Sequence, residues 1–199
     1  MNGVVATTDR DLWASAVGGD DDAFGVLFER HSRDVYNFAF RWTANWAAAE
    51  DMASQVFLTA WRRRADVVFT TESGSVLPWL LGVATNLLRN HGRGKRRADA
   101  AVARLDASEA QPDFSDDVLG RMADEAQMAE VQAVIEQLPE REQDVLALCA
   151  WAGLDYEEAA LALEVPVGTV RSRLSRARGH LRELVETNGH ELSRDVVTR

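Results

Sequence analysis

The sequence predicts an all-α protein made of two small helical domains joined by an acidic linker. Three observations carry this. Apolar residues recur at alternating spacings of three and four along most of the 199 residues, the repeat of a helix with one buried face. Strand signals are nearly absent: only the segment 67–71 is β-prone, and it is short with polar flanks. The charge is unevenly laid out, since residues 98–147 hold 13 acids against three bases and so carry the whole formal net charge of −10. By contrast, the stretches 86–97 and 169–182 contain bases and no acid. A hydrophobic content of 46% is ample for packed cores.

Residues 1–21 read as an N-terminal extension and 22–97 as the first domain. Its first helix is expected over 22–42, with Phe24, Phe28, His31, Val35, Phe38 and Trp42 as its inner stripe. A second helix over 47–64 has two faces. Ala49, Met52, Ala53, Val56, Phe57 and Ala60 form the core side, and Asp51, Gln55, Leu58 and Arg62 lie opposite. A leucine standing among polar groups suits a protein-docking face and a plain solvated face equally well. A Thr-, Ser- and Gly-rich loop covers 66–76. Pro78 then fits the first turn of a third helix, which reaches about residue 90 before Gly92 and Gly94 stop it. Leu77, Leu81, Ala84 and Leu88 face inward on it. Trp79, Val83, Asn86, Asn90 and Arg93 share the other face, within roughly 80° of one another. The basic run Arg89, Arg93, Lys95, Arg96, Arg97 follows at once. Aromatic, amide and basic groups side by side suit contact with unstacked bases and phosphate. The competing readings are a Trp79 packed under the preceding loop and a basic run that only complements the helix dipole.

Residues 98–125, acidic and Ala-rich with Pro112, form the linker; 126–186 make the second domain and 187–199 a polar tail. Pro139 separates two helical patterns, and Gly153 ends the one over 140–150. Two shorter helices follow, over 156–163 and 166–185. Asp155 suits the N-cap of the first, whose inner face is Ala159, Ala160 and Leu163. The second opens at Pro166 and buries Val170, Leu174, Ala177, Leu181 and Leu184. At about 100° per residue, Ser172, Ser175, Arg176 and Gly179 fall opposite that stripe, with Arg171, Arg173 and Arg178 on its flanks. A short helix, a turn and a longer basic helix make this domain a helix-turn-helix. Small polar residues let such a helix sit deep in a major groove, and arginine pairs with guanine through two hydrogen bonds. An ordinary solvated basic face is the bland alternative; the agreement of helix, turn and proline start argues against it.

Other classes find little support. Cys149 is the only cysteine, so neither an internal disulfide nor a Cys-based zinc site is available. His31, His91, His180 and His190 show no metal-ligand spacing, and no cofactor is expected. No stretch reaches the roughly 18 apolar residues of a membrane span, and no secretion signal is visible, so a cytoplasmic protein without membrane insertion is the expectation. No Ser–His–acid signature or Gly-rich phosphate loop points to an enzyme.

Four strings in order, AAEDMASQVFLTAWRR, LPWLLGVATNLLRNHGR, LPEREQDVLALCAWAGLDYEEAALAL and VPVGTVRSRLSRAR, resemble the bacterial RNA polymerase sigma factors of the sigma-70 family, extracytoplasmic-function (ECF) group. The resemblance spans about 22–97 and 126–185, and the chain length leaves no space for the extra regions of larger sigma factors. It implies promoter-specific transcription initiation by a dissociable subunit that binds core RNA polymerase and is not an enzyme in its own right. Asp51, Gln55, Leu58 and Arg62 would dock on the polymerase clamp helices. Trp79, Asn86, Asn90, Arg93, Arg96 and Arg97, with the loop 66–76, would read the melted −10 element around a flipped base. Arg171, Ser172, Ser175 and Arg176 would read the −35 element, with Arg173 and Arg178 on the backbone. The polymerase flap, promoter DNA and an anti-sigma factor are the implied partners. The acidic linker reads either as a nucleic-acid mimic in a basic channel or as a charge-extended spacer. One departure concerns the turn, where the family usually has Gly and this chain has Glu164. A sigma-like mimic that binds no DNA is disfavoured by the retained arginines. A conventional repressor or activator would leave the Trp79/Asn86/Asn90 face without a role.

Overall fold

A computed structural model describes residues 7–67, 74–102 and 116–197; for 93–102, 116–119 and 188–197 only the backbone is described. The elements are α1 (Asp9–Val17), α2 (Asp21–Thr43), α3 (Trp46–Arg63), α4 (Leu77–Val102), α5 (Asp116–Ile135), α6 (Glu140–Leu146), α7 (Tyr156–Leu163) and α8 (Val167–Val197). A 3-10 turn at Arg64–Asp66 follows α3, and a π-helical turn at Ala147–Trp151 follows α6. No strand occurs among the described residues, and the all-α expectation holds.

The N-terminal extension contains a helix the apolar periodicity did not announce. Thr8 and Asp11 close a reciprocal capping box at the start of α1. Leu12, Trp13 and Ala16 are buried from it, so α1 belongs to the first core. Along α2 the buried stripe is Ala23, Leu27, His31, Val35, Phe38 and Ala39. Phe28, expected inside, is 45% exposed and lies edge-on to Phe57, with ring centroids 4.7 Å apart. The stripe has rotated toward Leu27 because α1 covers that side of α2. On α3 the two-faced expectation holds: Met52, Val56, Phe57 and Ala60 are buried, and Asp51, Gln55, Leu58 and Arg62 are exposed.

α4 does not stop at Gly92. That glycine avoids the left-handed conformation a helix stop uses, and the helix runs on to Val102. A glycine in a helix costs only about 1 kcal/mol relative to alanine, which the helix-favouring Lys, Arg and Ala that follow can offset. α5 likewise starts inside the stretch expected as linker, at Asp116. The segment 103–115 lies outside the described residues. Gly153 does take a left-handed φ of 71°, ending the α6 segment as expected.

One continuous core includes residues of both predicted domains. α4 crosses α7 so closely that a Cβ on Gly82 would stand 2.4 Å from the Ala162 carbonyl oxygen. Beside this crossing, Arg89 on α4 grips the fully buried Asp144 on α6, with Nε to Oδ1 at 2.8 Å. Arg41 donates to the Trp151 carbonyl at 2.6 Å, and the Trp46 amide donates to Glu125 at 2.8 Å. Burial pushes the Asp144 carboxyl above its ordinary pKa, and Arg89 offsets this only in part.

Candidate nucleic-acid and polymerase interfaces

The C-terminal surface is built by the helix-turn-helix. Asp155 caps α7, accepting from the amides of Glu157 and Glu158 at 2.8 Å each, and Glu158 reaches back to the Asp155 amide at 3.1 Å. Glu164 ends α7 in the left-handed region, φ 54° and ψ 44°, which costs a non-glycine residue on the order of 1 kcal/mol. The amide of Val165 still donates to the Ala160 carbonyl at 3.0 Å, so the turn closes with glutamate in glycine's place. Pro166 precedes α8, and its carbonyl accepts from Thr169 at 2.8 Å.

α8 buries Val170, Leu174 and Ala177. Arg171, Ser172, Ser175, Arg176 and Arg178 are exposed, as the 100° projection predicts, while Arg173 is half-buried. Arg176 is steadied by its Nε donating to the Ser172 carbonyl at 3.2 Å. Arg171 lies over the Tyr156 ring, 5.7 Å from its centroid, a pairing the sequence reading did not foresee. The face therefore presents five solvent-facing guanidinium or hydroxyl groups on a rigid helix. Behind it, His180 Nδ1 meets the buried Glu142 at 2.7 Å, tying α8 to α6.

The N-terminal surface is less uniform. Asn86 and Asn90 are exposed one turn apart on α4. Val83, expected beside them, is buried, and Trp79 is half-buried with its ring edge-on to Trp13 at 5.5 Å. Arg93, Arg96 and Arg97 continue the same helix, and their side chains lie outside the described residues, as does most of the loop expected over 66–76. A separate apolar groove runs between α2 and α3. Phe24, Phe28, Phe57, Leu58 and Trp61 line it, and Leu58 is 53% exposed. It adjoins the Asp51–Arg62 face of α3. Phe24, Phe28 and Phe57 were all expected inside; of these Phe28 is exposed and Phe24 half-buried.

A helix-turn-helix whose exposed α8 face carries arginines and serines, edged by Glu140 of α6, together with a second helix offering amides and a separate apolar groove, has the features of a DNA-binding protein that also docks on another protein. Comparison with known proteins makes this specific. The sigma-70 region 2 model matches residues 27–98, and the sigma-70 region 4 model matches residues 128–181. RNA polymerase sigma-H factor of Pseudomonas aeruginosa is 33% identical over 181 residues, covering 85% of this chain and 90% of that protein. The ECF RNA polymerase sigma-E factor of Escherichia coli is 32% identical over 182 residues, covering 86% and 91%. Among solved structures, CnrH in complex with the cytosolic domain of CnrY superposes with a TM-score of 0.66 at 24% identity, covering 90% of this chain and 97% of that one. The sigma factor RpoE bound to the anti-sigma factor NepR, from Bartonella quintana, gives 0.57 at 20% identity, covering 82% and 96%. The chain belongs to the sigma-70 family and is an ECF-type sigma factor, which directs promoter-specific transcription with RNA polymerase. Members of this family are initiation subunits of the polymerase. No described helix is long and apolar enough to cross a membrane.

Proposed function

We propose that this sigma factor grips a promoter at two points and core polymerase at a third. α8 reads the −35 element in the major groove through Arg171, Ser172, Ser175 and Arg176, with Arg173 and Arg178 on phosphates. α4 reads the melted −10 element through Asn86 and Asn90, flanked by Trp79 and by Arg93, Arg96 and Arg97. The exposed Asp51, Gln55, Leu58 and Arg62 dock on the clamp helices, and the 126–186 unit reaches the flap. The protein acts in the cytoplasm, catalyses no reaction of its own and needs no cofactor. An anti-sigma factor is its natural antagonist; the groove between Phe24, Phe28, Leu58 and Trp61 is the apolar surface such a partner would cover.

The observation that carries this reading is the α8 face, where every base-reading candidate is solvent-exposed with no acid on that stretch. Run-off transcription with core polymerase and a promoter library tests it. Promoter-specific transcripts that require the added chain are the expected result. No such transcript, together with tight duplex binding by the chain alone, would instead make it a conventional repressor or activator.

A further inference from the structure

α1 stands outside both matched regions, yet its residues hold both ends of the connection between α3 and α4. Asp9 and Trp13 are one turn apart and share a face of α1, about 6 Å apart along its axis. At the far end of the connection, the Asp9 carboxylate accepts the Val76 amide at 3.0 Å and the Ser75 hydroxyl at 3.3 Å. At the near end, the Trp13 indole N–H donates to the Arg64 carbonyl at 2.9 Å. Arg64 returns the contact, its Nε donating to the Ala16 carbonyl at 3.1 Å. Val76 leads directly into α4, and the Trp13 ring also meets Trp79 on that helix.

The Asp9 end is built as a buried polar junction. Asp9 is 6% exposed, and His31, also 6% exposed, meets its Oδ2 at 2.7 Å. Arg30 pairs with its other oxygen and donates to the Thr7 carbonyl at 3.2 Å. A carboxylate with this many donors is expensive to bury and strongly directional. Simple core packing of α1 would need only Leu12, Trp13 and Ala16. It would not need a buried carboxylate aimed at the first turn of α4.

We propose that α1 is a positioning element for −10 recognition: Asp9 and Trp13 fix the two ends of the α3–α4 connection and so set where α4 presents Asn86 and Asn90. This rests on the −10 reading proposed above. Neither residue touches DNA; both act through the backbone at Arg64 and Val76.

The test uses the full chain reconstituted with core polymerase on fork templates that carry each base at each −10 position. Trp13→Phe keeps a benzene ring but removes the indole N–H donor to Arg64 together with the fused five-membered ring. Asp9→Asn keeps the size and weakens the junction; Ala14→Ser, on the exposed side of α1, is the control. Discrimination between preferred and disfavoured −10 bases should fall about tenfold in both variants, less than the roughly hundredfold loss that a 1 Å misplacement can cause. Affinity for core polymerase and discrimination at the −35 element should stay unchanged, and Ala14→Ser should behave as the parent. Melting temperatures that drop while the −10 base profile keeps its shape would overturn the proposal and leave α1 as core packing. A parent chain with −35 discrimination but no −10 base preference would overturn the reading of α4, and the proposal with it.

Discussion

The two helices proposed to read promoter DNA, α4 and α8, use their polar faces very differently. On α8 the buried stripe and the presented face are cleanly opposed, and Arg171, Ser172, Ser175 and Arg176 all look outward. On α4 the corresponding face is shared with the protein itself. Val83 is buried, Trp79 leans on Trp13, Gly82 is pressed against α7, and Arg89 is held by Asp144. α8 packs on its neighbours through the single stripe Val170, Leu174 and Ala177 and keeps the opposite face free. A helix with neighbours on several sides has to divide its surface among them. α8 therefore keeps most of its polar face open to solvent, whereas α4 spends part of its polar face on α1 and α7.

Position 82 offers the largest way to disturb that contrast. Gly82→Ala should help α4 in isolation by about 1 kcal/mol, because alanine is the better helix former. Any loss must then come from the crossing, where the new Cβ would meet a backbone oxygen at 2.4 Å. Overpacking of this kind costs roughly 1–3 kcal/mol. The −10 and −35 elements lie roughly 25 base pairs apart, about 85 Å at 3.4 Å per pair. On the proposed reading, units touching at Gly82 and Ala162 part before both elements are read. The variant should show a larger radius of gyration by small-angle scattering and tighter binding to core polymerase. An unchanged radius would mean that the crossing yields without opening.

Arg176→Ala probes the other helix. Its loss should cost about 1–3 kcal/mol at one base pair of the −35 element and relax selectivity there alone. Arg173→Ala should weaken binding across all sequences and lower the salt dependence, as a phosphate contact does. If both variants lost affinity uniformly, α8 would be a phosphate-binding helix without base reading.

A smaller effect separates two of the buried carboxylates, Asp9 and Asp144. Burial on its own would raise Asp9, but the Val76 amide, then His31 and Arg30, outweigh it and hold its pKa below the ordinary value. Stability from Asp9 is thus present above the unfolded carboxyl's pKa near 4 and is lost as pH falls through the lower folded value. Asp144 has the opposite sign: with its folded pKa raised, acidification favours the folded form at that site. Thermal melts between pH 3 and 6 (roughly the carboxylate range) should show Asp9→Asn flattening the acid loss. Asp144→Asn should leave that loss in place or deepen it.

How much was legible follows the same division. The α8 face could be read from spacing because its environment is simple, one buried stripe and solvent. The Asp51–Arg62 face of α3 was legible for the same reason. Trp79 was harder, since its surroundings depend on Trp13 of α1, distant in sequence, and Phe28 was harder because it stands in a groove edge-on to Phe57 of α3. α1 itself left only a local signal, the Thr8–Asp11 capping box ahead of Leu12 and Trp13, too short for helical periodicity to register. Gly82 had no sequence signal at all: an isolated glycine in a helix shows its purpose only when the crossing helix is in place.

The smallest expected effect concerns the two helix ends that use a non-glycine residue in the left-handed region, Ala44 after α2 at φ 48° and Glu164 after α7 at φ 54°. Glycine removes the steric cost of that conformation and gives back part of the gain through a more flexible unfolded chain. Each of Ala44→Gly and Glu164→Gly should therefore stabilise by about 0.5–1 kcal/mol. The pair also tests whether the units behave as one. If the core that spans α4 and α7 melts cooperatively, both substitutions raise a single transition and their effects add, because the sites share no partner. If the units melt separately, each substitution lifts only its own transition in a calorimetric scan. Adding Gly82→Ala should convert the first pattern into the second, because that substitution loosens the α4–α7 crossing through which the two units share a core.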